Sequence, residues 1–229
     1  DLFRSVRGFL YLTPEEKELI EKAAGALAVP SRVIGSGLNV HRAGPEPRKR
    51  LGAPDSYALY VGRVDRNKGV DVLFRYFLWL LDEWPECPPL LLVGHPVLDI
   101  PAHPKIRHLG YVSEDEKSSL IEGAGVVLMP SRYESLSMIV LEAWALGRPV
   151  LANAACAVLE GQCRRSNGGL YYRDYAEFRL MLRRLMGDPR LRADLGAHGE
   201  AYVTANYSWE RAAAQTNDLL RELTSGAAS

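Results

Sequence analysis

The sequence predicts an α/β protein: a doubly wound, mainly parallel sheet of about six strands with helices on both faces. Three observations carry this. Short, wholly apolar runs recur at 57–61, 88–93 and 126–129, the pattern of strands buried on both faces. Most are closed by Gly or Pro and followed by a segment of helical character, which is the signature of βαβ units. The 229 residues are 47% hydrophobic and 24% charged, the balance of a soluble domain with a sizeable core.

The elements follow in order. Thr13 caps a helix that has Pro14 at its first position and acids in its first turn, running to about Leu27. Residues 32–34 form a short strand broken by Gly35-Ser36-Gly37. Residues 39–56 are rich in Pro, Gly and Arg and are expected to be a linker or surface loop. Strands follow at 57–61, 88–93, 106–109, 126–129, 149–152 and 169–172. Helices fall at 70–84, at 113–122 behind a Ser113 cap, and at 138–146 ahead of Gly147 and Pro149. Three more close the chain at about 174–186, 189–204 and 208–224. Cys156 and Cys163 are expected to flank a loop near the sheet's edge.

Formal net charge is +0, with 28 basic and 28 acidic side chains. No basic face for nucleic acid is indicated. The three cysteines, Cys87, Cys156 and Cys163, contain no C-x-x-C; neither a disulfide framework nor a zinc site is expected, and a reducing, cytoplasmic compartment is the default. No apolar run is long enough to span a membrane. The five histidines, His41, His95, His103, His108 and His198, lack ligand spacing, and no metal is expected. The aromatics Phe74, Tyr76, Phe77, Trp79 and Trp84 recur at helical spacing and are expected mostly in the core. The chain opens at Asp1 on a pattern that reads as the middle of something, so an excised piece of a longer protein is expected.

In open parallel sheets a ligand sits beyond the carboxyl ends of the strands. Two clusters fall there. In the first, Gly62 allows close backbone approach while Arg63 and Lys68 bring two charges. Arg binds phosphate through a bidentate fork and Lys as a point charge, so the pair suits a diphosphate; a solvated βα turn is the plain alternative. The second runs from Pro130 to Ala143. Glu134 lies in the loop after a strand, and Ser135-Leu136-Ser137 leads into a helix whose first backbone N–H groups are free for an anion. Glu142 falls one turn into that helix among apolar neighbours. There it needs either a partner or a ligand, and a carboxylate can accept from vicinal hydroxyls such as ribose presents. A capping acid and a helix-face acid paired with Lys or Arg are the alternative. Arg164-Arg165-Ser166-Asn167-Gly168-Gly169 is either a plain turn or a segment approaching a ligand.

Together these pieces resemble the family 4 glycosyltransferases, which are retaining and of GT-B architecture. The resemblance rests on Gly62-Arg63…Lys68-Gly69, Val93-Gly94, Leu109-Gly110-Tyr111-Val112, Pro130-Ser131, the E-x7-E from Glu134 to Glu142, the run Ala143 to Val150, and Gly168-Gly169-Leu170, in order. It covers about residues 33–205. It implies a Rossmann-like sheet forming the C-terminal half of a GT-B fold. Residues 1–40 would be a remnant of the N-terminal acceptor domain, 41–56 a linker loop, 57–205 the nucleotide-sugar-binding domain, and 206–229 a C-terminal crossover helix and tail. Arg63 and Lys68 would bind the donor's diphosphate and stabilise it as a leaving group. Glu134 and the backbone of Leu136, Ser137 and Met138 would hold the sugar and phosphate, Glu142 the ribose, and the backbone around Tyr111 and Val112 the base. Gly62 and His95 would line the donor site.

The implied activity is sugar transfer with retention from a UDP- or GDP-linked donor to an unknown acceptor, without a metal or other cofactor. The missing N-terminal domain would be an intramolecular partner, the fragment alone would not transfer, and peripheral membrane contact of a full-length enzyme stays open. A nucleotide-sugar-binding module without catalysis and a GT-B-type epimerase are the alternatives. The sequence departs from the family at His95-Pro96-Val97 and at Ser135-Leu136-Ser137, both of which bear on sugar or base preference.

Overall fold

The computed structural model describes residues 5–25 and 29–225. They divide into two compact units, one built from residues before 40 and after 203, the other from 40–203.

In the smaller unit β1 (Phe9–Tyr11) pairs in parallel with β2 (Ser31–Val33), and α1 (Pro14–Ala24) connects them. Thr13 caps α1 by accepting from the Glu16 backbone N–H; the helix end expected at Leu27 lies outside the described residues. The closing helix, α9 (Trp209–Ser225), buries Ala212 and Leu219. Glu222 reaches back to Arg32 at 2.6 Å and the Trp209 indole donates to Asn39.

The larger unit holds β3 (Ala58–Val61), β4 (Leu90–Val93), β5 (Ile106–His108), β6 (Val126–Met129), β7 (Val150–Asn153) and β8 (Gly169–Tyr172). All pair in parallel, in the order β5-β4-β3-β6-β7-β8. The order reverses between β3 and β6, where the chain steps back across the sheet after β5. Right-handed crossovers put the connections of the two halves on opposite faces. These connections are α3 (Val70–Glu83), α4 (Glu114–Gly123), α5 (Met138–Ala145) and α6 (Ala157–Ser166). Helices α7 (Tyr175–Gly187) and α8 (Pro189–Asn206) follow β8.

Strands β3, β4, β6 and β7 are buried at every residue, as apolar runs without alternation require. In this unit Trp144, Tyr57, Tyr60, Phe77 and Phe178 are the largest fully buried side chains. The buried Tyr57 hydroxyl donates to the Leu120 carbonyl at 2.6 Å. Tyr57→Phe is therefore expected to lower unfolding free energy by about 1 kcal/mol, read from the urea midpoint.

Two expectations change. The 41–56 segment is not bare loop, because α2 (Glu46–Arg50) forms within it and buries Pro47. The backbone N–H of Arg48 donates to Ser119 Oγ, and the Ser119 hydroxyl donates to the Gly44 carbonyl, so this segment is fastened to α4. The Cys156–Cys163 loop is also a helix, α6. Strands β7 and β8 lie side by side in parallel, and that geometry demands a crossover. The three cysteines are free and buried.

Candidate functional site

The carboxyl ends of β3 and β6 meet where the strand order reverses, and the two predicted clusters stand there side by side. After β3, Gly62 donates to the Val93 carbonyl and Val64 to the His95 carbonyl, so the β3 and β4 exits stay paired past the strands. Tyr60 points up beneath the first loop. Its hydroxyl donates to the Arg63 carbonyl at 2.7 Å, and burial pushes its pKa well above the usual phenol range, which keeps it a donor. Asp65 ties the next turn: Oδ1 accepts from the Asn67 N–H at 2.9 Å, while Oδ2 lies 2.9 Å from Arg63 Nε. The Arg63 side chain is otherwise half exposed.

After β6, the buried side chain of Asn153, at the end of β7, donates to the Pro130 carbonyl at 3.0 Å. That bond fixes the start of the loop carrying Glu134. Ser137 caps α5 by accepting from the Val140 N–H at 3.5 Å. Lys68 Nζ lies 2.8 Å from Glu134 Oε1, and the Glu134 side chain is only 12% exposed. The two clusters are thus joined by a direct ion pair.

Two depressions open along this edge and share Val61 and Gly62. The first is lined by Gly62, Lys68, Glu134, Leu136, Ser137 and Met138, with Tyr60 and Ser131 beneath. Arg63, His95, Tyr111, Val112 and Lys117 line the second. Tyr111 is almost fully exposed and presents an open aromatic face.

Every predicted site residue except Glu142 lines one of the two. Glu142 stands a layer back, its carboxylate held by Lys117, whose Nζ lies 3.2 Å from Oε1 and 3.1 Å from Oε2. Burial pushes the Glu142 carboxyl above the usual carboxylate range, and Lys117 pulls it partway back. Burial likewise opposes the Lys117 ammonium, but Glu114 and Glu142 outweigh it and raise its pKa. Arg63, Lys68 and Lys117 each meet a carboxylate, so an arriving anion competes with Asp65, Glu134, and Glu114 with Glu142 respectively.

Other sequence candidates lie elsewhere. Arg164 pairs with Glu160 at 2.8 Å and stacks on Tyr171, and the Gly168 carbonyl accepts from the Trp144 indole at 2.7 Å, so that segment is structural. His41 pairs with Asp115, His108 meets the Gly94 carbonyl, and His198 meets Asn167. Sequence reasoning missed Tyr60, Asp65 and Lys117 as supports of the site. Asp65 was within reach, as a short acid two residues past an arginine in a βα turn. Lys117 was not, being 25 residues from its partner along the chain.

Residues 55–188 match the family model of the group 1 glycosyl transferases. The chain is 30% identical over 242 residues to a D-inositol 3-phosphate glycosyltransferase of Streptomyces bingchenggensis, covering 93% of this chain and 52% of that protein. It therefore spans about half the length of the curated relatives it matches. Among solved structures, sucrose-phosphate synthase from Thermosynechococcus elongatus superposes with a TM-score of 0.80 at 24% identity, covering 98% of this chain and 60% of that one. Anabaena HepE in complex with UDP and glucose gives 0.75 at 16% identity, covering 96% and 63%. At these identities the likeness is one of fold.

Proposed function

The chain belongs to the group 1 glycosyl transferases, and from that premise we propose that it supplies the donor-binding half of a retaining glycosyltransferase. The donor is a nucleoside-diphosphate sugar, UDP- or GDP-linked. The observation that carries this is the meeting of Arg63 and Lys68 after β3 with Glu134 and the opening turn of α5 after β6, at the point where the strand order reverses.

The roles follow from the chemistry of the donor. Its diphosphate takes the Arg63 fork and the Lys68 ammonium and the N–H groups that open α5. Its sugar hydroxyls donate to Glu134, its ribose hydroxyls to Glu142, and its base lies over Tyr111 and Val112. When the bond from the anomeric carbon to the diphosphate oxygen breaks, negative charge grows on the leaving diphosphate. Arg63 and Lys68, drawn from Asp65 and Glu134 to the diphosphate, stabilise that charge without a metal. Glu134 and Glu142 are acceptors for hydroxyls in this scheme and not an acid and nucleophile of hydrolysis. The acceptor is bound by the other half of the full-length enzyme, and this chain alone does not transfer.

The reading is tested by titrating the chain with UDP, GDP and ADP in excess EDTA, followed by calorimetry and thermal shift. UDP is expected to bind and to raise the melting temperature. At a concentration about 100 times its Kd it should add about 2.7 kcal/mol of stability. No response to any of the three nucleotides would sink the reading, and binding that needs a divalent ion would sink the metal-free part.

A further inference from the structure

Lys117 belongs to no motif, yet it is the residue through which Glu142 meets the donor edge. It sits on α4, opened by a capping box in which Ser113 Oγ accepts from the Glu116 N–H and the Glu116 carboxylate accepts from the Ser113 N–H. Its ammonium reaches three carboxylate oxygens: Glu114 Oε2 at 2.8 Å, and Glu142 Oε1 and Oε2 at 3.2 and 3.1 Å. The two partners differ in kind. The Glu114 side chain is 79% exposed, whereas those of Lys117 and Glu142 are 17% and 14% exposed. An exposed pair one helical turn apart contributes little; a shielded pair leaves an uncompensated charge when one member goes. Lys117 also lines the second depression with Gly62, Arg63, His95 and Tyr111, while Glu142 does not.

We infer that Lys117 is the positioning residue for ribose recognition, holding Glu142 ionised with both oxygens oriented so that vicinal hydroxyls meet a carboxylate acceptor. This rests on the reading of Glu142 as the ribose acid. Helix α5 supplies no second charge to Glu142, since its other residues are Met138, Ile139, Val140, Leu141, Ala143, Trp144 and Ala145. From α4 the facing charges are Lys117, which favours the carboxylate, and Glu114, which opposes it. Arg63 and His95 share the depression, Arg63 with Asp65 as its own partner. The buried Glu142 Oε2 makes no hydrogen bond with the described residues, but the Lys117 ammonium lies 3.1 Å from it, so the lysine faces both oxygens of the carboxylate. A protonated carboxyl would instead present a donor and forfeit one of the two hydroxyl contacts.

The sign follows. Ribose preference needs the ionised acid and is lost as pH falls through the Glu142 pKa. Lys117 keeps that pKa down, so removing the lysine moves the loss to higher pH.

The test compares UDP with 2′-deoxy-UDP, titrated into the chain from about pH 4 to about pH 9. The wild type is expected to prefer UDP about tenfold at neutral pH, the worth of one hydrogen bond to a charged group. In Lys117→Met the preference should fall to within about twofold near neutral pH and return in part at the alkaline end, while Lys117→Arg keeps it. Glu114→Gln, which leaves the Lys117–Glu142 pair in place, should shift the limb to lower pH and keeps the test open if the methionine variant does not fold. Equal weakening of both nucleotides in Lys117→Met, with the preference and its pH limb unchanged, would overturn the inference. So would a Glu114→Gln limb that does not move. Glu142→Gln separates the two levels. If it leaves the preference intact, the ribose reading itself fails. If it abolishes the preference while Lys117→Met does not, only the role of Lys117 falls.

Discussion

Arg63→Ala and Lys68→Ala are each expected to weaken UDP binding by roughly 10- to 100-fold, because each removes a charge-assisted contact of about 1.5–3 kcal/mol to the diphosphate. The two losses should differ in character. Arg63 is half exposed and among the described residues pairs with Asp65, so its guanidinium turns to a phosphate with little to give up. Lys68 is held 2.8 Å from a Glu134 that is nearly shielded from solvent, and the diphosphate must win it from that carboxylate. Glu134→Gln therefore makes a sharper companion. It releases Lys68 and should tighten UDP severalfold, while erasing the added affinity that a UDP-sugar owes to its sugar hydroxyls. Calorimetry with UDP and with UDP-glucose on the three variants reads all of this. If Glu134→Gln weakens UDP and UDP-glucose alike, the ion pair is a scaffold and not a latch that the donor opens. Raising salt should weaken UDP binding to the wild type more than to either alanine variant, as expected when binding is driven by exposed charges.

The strands were legible because they are buried on both faces. Residues 58–61 and 126–129 read as uninterrupted apolar runs, and no helix of that length would end so abruptly at Gly62 or Pro130. The helices with caps were legible too: Thr13 and Ser113 stand where the sequence puts them. What escaped was structure whose pattern is masked. Helix α6 buries Val158, Leu159, Gln162, Cys163 and Ser166, and two of those five are polar, so the stripe does not show. Gly161 in its middle adds a false break. The short α2 hides among Pro, Lys and Arg for the same reason, its hold being bonds to Ser119 that no local pattern announces. In the site, residues directly after strands were found because topology alone brings them together. Residues that act through another group were not: Tyr60 supports the Arg63 carbonyl from within β3, and Lys117 closes on Glu142 from a neighbouring helix. Such pairings are set by packing between elements, and a sequence shows periods within elements.

Gly69→Ala is the second large effect, and it joins stability to the site. Gly69 follows the turn carrying Lys68, opens α3, and adopts a φ of 72°. That left-handed conformation costs a residue with a Cβ about 1–2 kcal/mol. Space is the greater obstacle, because an added Cβ would stand 2.2 Å from the Pro130 carbonyl oxygen. This is the same oxygen that accepts from Asn153 and fixes the start of the Glu134 loop. It cannot move away without loosening that bond, which adds about another 1 kcal/mol. The substitution should lower unfolding free energy by about 3 kcal/mol in urea titrations and displace Lys68 and Glu134 together, so that UDP affinity falls even where the protein remains folded. Gly187→Ala is the matched control. That glycine ends α7, has no atom within 4 Å of an added Cβ, and lies outside the left-handed region. There alanine should be neutral or stabilise by up to about 1 kcal/mol, with nucleotide binding untouched. Equal effects at the two positions would mean that the closeness of the two loops, and not the chemistry of their side chains, has been overvalued as the foundation of the donor site.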